Sequence, residues 1–479
     1  MVLASLVVRP ILRSLSERGF IAALTNGPLD ARLSLDKPGS VYLGIDPTAS
    51  SLHVGNLLAI MGLLHFQRNG HRTTALVGGA TGFIGDPSGR SSERTALDPD
   101  QLRNNVSTIS KQLNAIFDNS RKALGADRSS LPDITVTNNL DWTAPLSIID
   151  FLSSVGKYMR IGPMMMRESV KARINSDQGL SFTEFSYQLL QAMDFWYLYN
   201  FRNCFIQIGG SDQWGNITAG IELIHKMDPK AVSGLVEKLK ERGPLVEPSP
   251  DPKSEPIGPD TSGREAYGIT FPLLTTPTGE KFGKSAGNAV WLDSQMTTVY
   301  DFYQFFVRTP DSEVAKYLRL FTFIPLAEID RIITTHNANP ELRHAQTILA
   351  NQVTQLIHGA TGLRNAQIAT RLLFGEPLDL ATLNVQDVHD AFVGDRGRFF
   401  ALSDAELQSM TLPDLAVRVG ACKSKSEAIR LAKSGGFYLN QARQADIRNR
   451  PFDLKTDLLQ ERLCVLRVGK THYFFVWRS

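Results

Sequence analysis

The chain has 479 residues and a mass of 53.0 kDa, with 42% hydrophobic, 21% charged and 9% aromatic residues, which excludes a disordered or fibrous protein and argues for two to four domains. Three cysteines (Cys204, Cys422, Cys464), none in a C-x-x-C pair, exclude a disulfide scaffold and a cysteine zinc site; no H-E-x-x-H motif and no apolar run of about 20 residues occurs, so neither a zinc protease nor a membrane partner is expected. The net charge of +3 hides an asymmetry: residues 411–479 hold 13 Lys and Arg against 6 acids, +7, leaving −4 for the rest, which points to a polyanion-binding tail or to a merely solvated basic surface.

The first sixteen residues carry Arg9, Arg13 and three serines with no acid before Glu17, the pattern of a mitochondrial transit peptide. The same stretch fits an ordinary amphipathic helix through Leu12, Leu15 and Phe20. Residues 41–45 are apolar and β-prone, Asp46-Pro47-Thr48 breaks them, 52–69 has helical spacing, and 73–77 is the next strand. This βαβ unit predicts a parallel sheet whose ligands sit at the carboxyl ends of strands. A further buried strand is expected at 204–208, running into Gly209-Gly210.

Six prolines between 241 and 263 predict an exposed insertion. After 291 the pattern turns helical, at 312–321, 326–336 and 341–358, the last ending at Gly359. In the tail, helices at 415–418 and 425–432 precede a Gly435-Gly436 turn and short strands at 437–439 and 473–477, a small α+β module.

Leu52-His53-Val54-Gly55-Asn56 falls where a strand-to-helix turn leaves backbone N–H groups free at a helix N-terminus, a site that attracts phosphate; His53 and Asn56 add side-chain donors and Gly55 admits a close neighbour. A capped amphipathic helix with an incidental histidine fits the same residues. Lys281-Phe282-Gly283-Lys284-Ser285 sets two lysines around a glycine in a segment without helical or strand pattern, suited to closing two ammonium groups on a pyrophosphate, or to a solvated basic turn.

Together these two motifs resemble the paired signatures of class I aminoacyl-tRNA synthetases. The blocks Tyr42 to Asn56, Val77 to Arg90 with Asp86, Tyr187-x-x-x-Gln191-Ala-x-Asp194 and Gln207 to Asn216 with Asp212-Gln213 look like those of tyrosyl-tRNA synthetases in family order, over nearly the whole chain. Residues 284–292 and 303–308 look most like mitochondrial members, so the mitochondrial matrix is the expected compartment.

The resemblance implies an α/β fold: an N-terminal segment over 1–40, a Rossmann-like parallel-sheet catalytic domain over 41–291 with a connective, dimer-forming insertion near 141–199, a helical anticodon-recognition domain over 292–400, and a small α+β S4-like RNA-binding domain over 411–479. It implies that Tyr42 and Asp194 meet the phenolic hydroxyl of L-tyrosine, that Asp86, Tyr187 and Gln191 hold its ammonium group, and that Gln213 lies near its carboxylate. For ATP it implies Asp46, His53 and Asn56 at the phosphates, with Gly55 letting the adenine ring approach the backbone, Gly209, Gly210 and Asp212 near the ribose, Leu274 near the adenine, and Lys281, Lys284 and Ser285 on the leaving pyrophosphate. Asn56 stands where many relatives have histidine, but its amide also donates. Lys423, Lys425, Arg430, Lys433 and Arg443 are available to RNA phosphates.

The activity so implied is ligation of tyrosine to tRNA(Tyr) through a tyrosyl-adenylate, with Mg²⁺ on the ATP phosphates, no protein-bound metal, a homodimer, and structured intron RNA as a further partner in a splicing role. Two other readings stand beside it. A tryptophanyl-tRNA synthetase shares the fold and lysine loop, though not the phenol-directed Tyr42 and Asp194; a non-enzymatic RNA-binding splicing cofactor would be expected to lose site residues, and none is visibly lost.

Overall fold

A computed structural model describes residues 11–25, 39–88, 97–123, 131–177, 179–242, 265–274, 289–374, 384–469 and 472–479. The chain separates into two compact units, one of residues 1–292 with 310–345 and one of 293–309 with 346–479. The segment grouped by its helical pattern as 292–400 is therefore shared between them.

The first unit is built on a six-stranded sheet in the order β1-β6-β5-β2-β3-β4, where β1 is Ala23–Leu24, β2 Ser40–Ile45, β3 Arg72–Val77, β4 Ile134–Asn138, β5 Ile206–Gly210 and β6 Tyr267–Phe271. All pairings are parallel except β1 with β6. The chain winds outward from β2 through β3 to β4, then returns to place β5 on the other side of β2. The strand order thus reverses between β2 and β5, and the crevice beyond their carboxyl ends is where such a sheet takes a ligand.

Why these segments form these elements follows from their side chains. β2 carries Val41, Tyr42, Leu43 and Ile45, all buried, as expected of a strand covered on both faces. Helix α2 (Val54–Arg68) connects β2 to β3 and buries eleven of its fifteen residues, so its apolar surface is nearly continuous rather than a stripe. Helix α4 (Phe182–Arg202) ends where Asn203 adopts a left-handed conformation (φ 50°) and Cys204 N–H returns to the Leu198 carbonyl. That turn occupies Asn203 to Phe205, so β5 starts at Ile206, two residues after the sequence expectation.

The amphipathic helix near the N-terminus is present as α1 (Ile11–Arg18), with Leu12, Leu15 and Phe20 buried. Arg18 is buried too, and its guanidinium donates to the carbonyls of Arg319, Thr322 and Ile324 at 3.2, 3.0 and 2.7 Å, capping the end of helix Asp311–Phe321. The proline-rich stretch 241–263 lies almost wholly outside the described residues.

In the second unit the predicted break at Gly359 interrupts helical segment His344–Phe374, where φ 71° and ψ −177° suit glycine. A five-stranded sheet runs β7-β11-β10-β8-β9, with β7 at Phe399–Leu402, β8 at Phe437–Leu439, β9 at Ala442–Arg443, β10 at Leu463–Val468 and β11 at His472–Arg478. β7 lies upstream of Thr411 and pairs parallel to β11, so this sheet draws on the chain before the basic tail. One sheet face packs on helices Leu412–Arg418 and Lys425–Lys433. Leu463, Val465, Phe475 and Trp477 on the other pack with Leu372, Val388 and Phe392.

Candidate active site

The carboxyl ends of β2, β3 and β5 bring the expected residues together. Asp46, just past β2, accepts from the Thr81 hydroxyl at 2.7 Å and from the Tyr187 hydroxyl at 2.9 Å, linking the first strand end to α4. A β-carbon at Gly78, just past β3, would collide with the Asp46 carboxylate and the Thr81 hydroxyl, so this junction tolerates no side chain.

At the start of α2, His53 is the N-cap: its Nδ1 accepts from Gly55 N–H at 3.1 Å, while the Asn56 amide oxygen accepts from His53 N–H at 3.1 Å. With Nδ1 an acceptor, the ring proton of the neutral imidazole sits on Nε2. Burial pushes the His53 pKa down, so neutral pH finds it uncharged with one N–H to donate. The reciprocal cap leaves the Asn56 amide N–H₂ outside its two bonds. Trp291 lies edge-on to His53 at 5.9 Å, and a small pocket opens there between Asp46, Thr48, His53 and Asn56.

A second cluster surrounds Tyr42 and Asp194, both buried. The Asp194 carboxylate accepts from Asn139 Nδ2 at 2.9 Å and from Trp142 Nε1 at 2.8 Å. Desolvation nevertheless pushes its pKa up to about 7, and the Tyr42 hydroxyl, raised by its own burial and then by Asp194, has no hydrogen-bond partner. A buried acceptor and an unpaired buried hydroxyl together are groups that a ligand hydroxyl can satisfy.

Asp86 forms a third group: it accepts from Gln213 Nε2 at 2.6 Å, from Ser88 N–H at 2.9 Å and from Asn216 Nδ2 at 3.5 Å. Gln191 donates to the Gln213 amide oxygen at 3.3 Å and keeps its own oxygen buried without a partner. Gly209 and Gly210 end β5, Asp212 lies in the turn Ser211–Gln213 that follows, and Leu274 is buried just past β6.

Lys281, Lys284 and Ser285 lie outside the described residues. Lys423, Lys425, Arg430, Lys433 and Arg443 belong to the second unit and are exposed. Lys425 pairs with Asp414, whose carboxyl that ammonium and the Thr411 hydroxyl hold down at about 2. The residues that sequence reasoning passed over are Thr81, Asn139, Trp142 and Trp291. A position just past a strand's carboxyl end marks Asn139; nothing local marks the indole of Trp142.

A switch-point crevice with a histidine-capped helix at one strand end suits a nucleotide phosphate, and a family model described as tRNA synthetases class I (W and Y) matches residues 34–375. The chain belongs to that family, which uses ATP. It is 41% identical over 472 residues to the mitochondrial tyrosine–tRNA ligase of Drosophila melanogaster, covering 97% of this chain and 94% of that one, and 38% identical over 474 residues to the mitochondrial tyrosine–tRNA ligase of Saccharomyces cerevisiae, covering 97% and 88%. Its fold is similar to that of a C-terminally truncated Aspergillus nidulans mitochondrial tyrosyl-tRNA synthetase, with TM-score 0.64 and 35% identity over 76% of this chain and 94% of that one.

Proposed function

We infer that this protein is a tyrosine–tRNA ligase of the mitochondrial type. The observation that carries the reading to its amino acid is the unpaired hydroxyl of Tyr42 beside the braced carboxylate of Asp194. A phenol O–H donating to Asp194 and accepting from Tyr42 satisfies both; phenylalanine leaves the carboxylate without that donor, at a cost of about 1–3 kcal/mol or more for a charged group, and the indole N–H of tryptophan can donate but cannot accept from Tyr42.

The other groups take roles that their geometry supports. Asp86, Gln213, Gln191 and the Tyr187 hydroxyl hold the ammonium and carboxylate of the substrate. His53 Nε2–H and the Asn56 amide, with the α2 N-terminus, meet the ATP phosphates. Gly209, Gly210 and Asp212 hold the ribose and Leu274 lies at the adenine, while for Lys281, Lys284 and Ser285, outside the described residues, the role on the pyrophosphate rests on the motif alone. Mg²⁺ enters with the ATP phosphates as part of that substrate.

The tyrosine carboxylate attacks the α-phosphorus; the bond to the bridging oxygen breaks and pyrophosphate leaves with the electron pair. The nucleophile is already ionised at neutral pH, so no general base is needed and catalysis rests on alignment and charge stabilisation. A terminal ribose hydroxyl of tRNA(Tyr) then attacks the acyl carbon, and AMP leaves. Pyrophosphate exchange into ATP, driven separately by tyrosine, tryptophan and phenylalanine, tests the reading: tyrosine alone should drive it efficiently, and preferential exchange with tryptophan refutes it.

Two further parts of the proposal concern assembly and place. Within 141–199, Ile148, Ile149, Ile161, Met166 and Phe182 are 65–75% exposed, more apolar surface than a free face would carry, which supports pairing with a second copy of the chain. Beneath it Arg173 and Glu184 form a fully buried ion pair at 2.7 Å that fixes helix Glu168–Ile174 against the start of α4. Ile149→Asp with Phe182→Asp should halve the sedimenting mass. The mitochondrial matrix is the proposed site of action; import of a tagged chain into isolated mitochondria, followed by protease protection after outer-membrane rupture, checks it.

A further inference from the structure

The second sheet has a face whose halves differ. At the β7 end, Leu463, Val465, Phe475 and Trp477 are covered by the helices that carry Leu372, Val388 and Phe392. Farther along β10 that cover thins, with Tyr473 packed against its edge and only partly buried. There the register sets Arg443 of β9 opposite Tyr438 of β8, Tyr438 opposite Arg467 of β10, and Arg467 opposite Tyr473 of β11. Residues opposed in antiparallel strands share a face, so these four form one row across four strands in which cation and aromatic alternate. The Arg467 guanidinium lies 3.8 Å from the centre of the Tyr438 ring and 5.9 Å from that of Tyr473. Arg443 is exposed and the other three are half-buried.

Flat guanidinium and phenol surfaces are what unpaired nucleobases stack on, whereas a duplex hides its bases and offers only backbone. The surrounding tail carries +7, complementary to phosphate. We propose that the row Arg443, Tyr438, Arg467 and Tyr473 is a stacking platform for unpaired nucleotides of the RNA substrate. The proposal rests on the tRNA-ligase reading and deepens it: the second unit grips a single-stranded part of its RNA through this sheet face, with Arg467 held against Tyr438 and Arg443 meeting the adjoining phosphate.

The test uses the full chain, a fluorescent oligouridylate, an RNA duplex of equal length and a tRNA(Tyr) transcript. Tyr438→Ala and Tyr473→Ala should each weaken oligouridylate binding by about 5- to 150-fold, leaving duplex binding and the salt slope unchanged. Tyr438→Phe should keep affinity, and Arg467→Lys should lose it despite equal charge. Arg443→Ala should instead reduce the salt slope by about one. Tyrosine-driven pyrophosphate exchange serves as the control for the ligase reading, and the calorimetric transition of the second unit, unchanged from wild type, as the control for folding. Normal exchange with unchanged oligouridylate affinity in both Tyr→Ala variants overturns the platform and leaves the ligase standing, as does equal loss for single strand and duplex. An affinity loss that Tyr438→Phe shares also overturns it. Failure of tyrosine to drive exchange in the unaltered protein overturns the ligase reading alone.

Discussion

Replacing Asp194 by alanine removes the acceptor for the substrate phenol while leaving the ammonium and ATP groups intact. Three consequences have different sizes. The Asn139 amide and the Trp142 indole lose their partner, which costs about 1–3 kcal/mol for each buried donor left unpaired and lowers activity with every amino acid. The phenol loses a hydrogen bond to an ionised group, about 1.5–3 kcal/mol, a loss felt by tyrosine alone. The penalty that phenylalanine suffers from an unpaired carboxylate disappears as well. The ratio of kcat/KM for tyrosine to that for phenylalanine should therefore fall at least about 10- to 150-fold, at roughly 1.4 kcal/mol per factor of ten. Pyrophosphate exchange with each amino acid supplies the two values. If both fall together and their ratio survives, Asp194 braces the fold through Asn139 and Trp142 and does not read the substrate.

The same carboxylate should shape stability against pH. Its folded pKa of about 7, above the ordinary 3.8, means that the native state keeps a proton the unfolded chain has released, so its contribution to stability falls as pH rises from about 4 to 7, by about 4 kcal/mol, and is level above. His358, which burial holds down at about 4, acts oppositely, its contribution being lost as pH falls from about 6.5 to 4; the difference between wild type and Asp194→Ala in urea titrations isolates the aspartate, and a pH-independent difference refutes the upward shift that burial gives it. Lys284→Ala should slow adenylate formation in single-turnover kinetics far more than it weakens ATP binding; loss of affinity at an unchanged chemical rate refutes a transition-state role. A chain ending before Thr411 keeps every tyrosine and ATP residue, so tyrosine-driven exchange should persist while tRNA charging collapses. It also removes β10 and β11 from the core they share with the helices that carry Leu372 and Val388, so its second unit should melt first by calorimetry, and one cooperative transition as high as wild type counts against that shared core.

The β2-α2-β3 unit was legible because its signals are local: a β-prone run, the Asp46-Pro47 break and helical spacing. So was the end of a helix at Gly359, where a positive φ selects the residue. The motif blocks point to Asp46, Asp86 and Asp194 but not to what holds them. Asn139 and Trp142 stand 55 and 52 residues before Asp194 and meet it only through the folded sheet, and Thr81 reaches Asp46 by a similar route. β7 escaped notice because four residues of Phe-Phe-Ala-Leu read equally as a helix end, and its strand state comes from pairing with β11, more than seventy residues later.

The capping of distant carbonyls by Arg18 has a bearing on how the chain assembles. Its partners lie 301, 304 and 306 positions downstream, and β1 pairs with Thr270 and Ile269. A chain that emerges from the ribosome or crosses a membrane with its N-terminus leading presents α1 long before either partner exists. Loop closure over such separations comes late, since its entropy must be met before the contacts return anything. The Arg18 caps and the β1 pairing are thus among the last contacts of α1 to form, and until about residue 324 has emerged α1 can lean on α2, where Phe20 meets His65 at 5.3 Å, leaving part of its apolar surface open to a chaperone or to another unfinished chain.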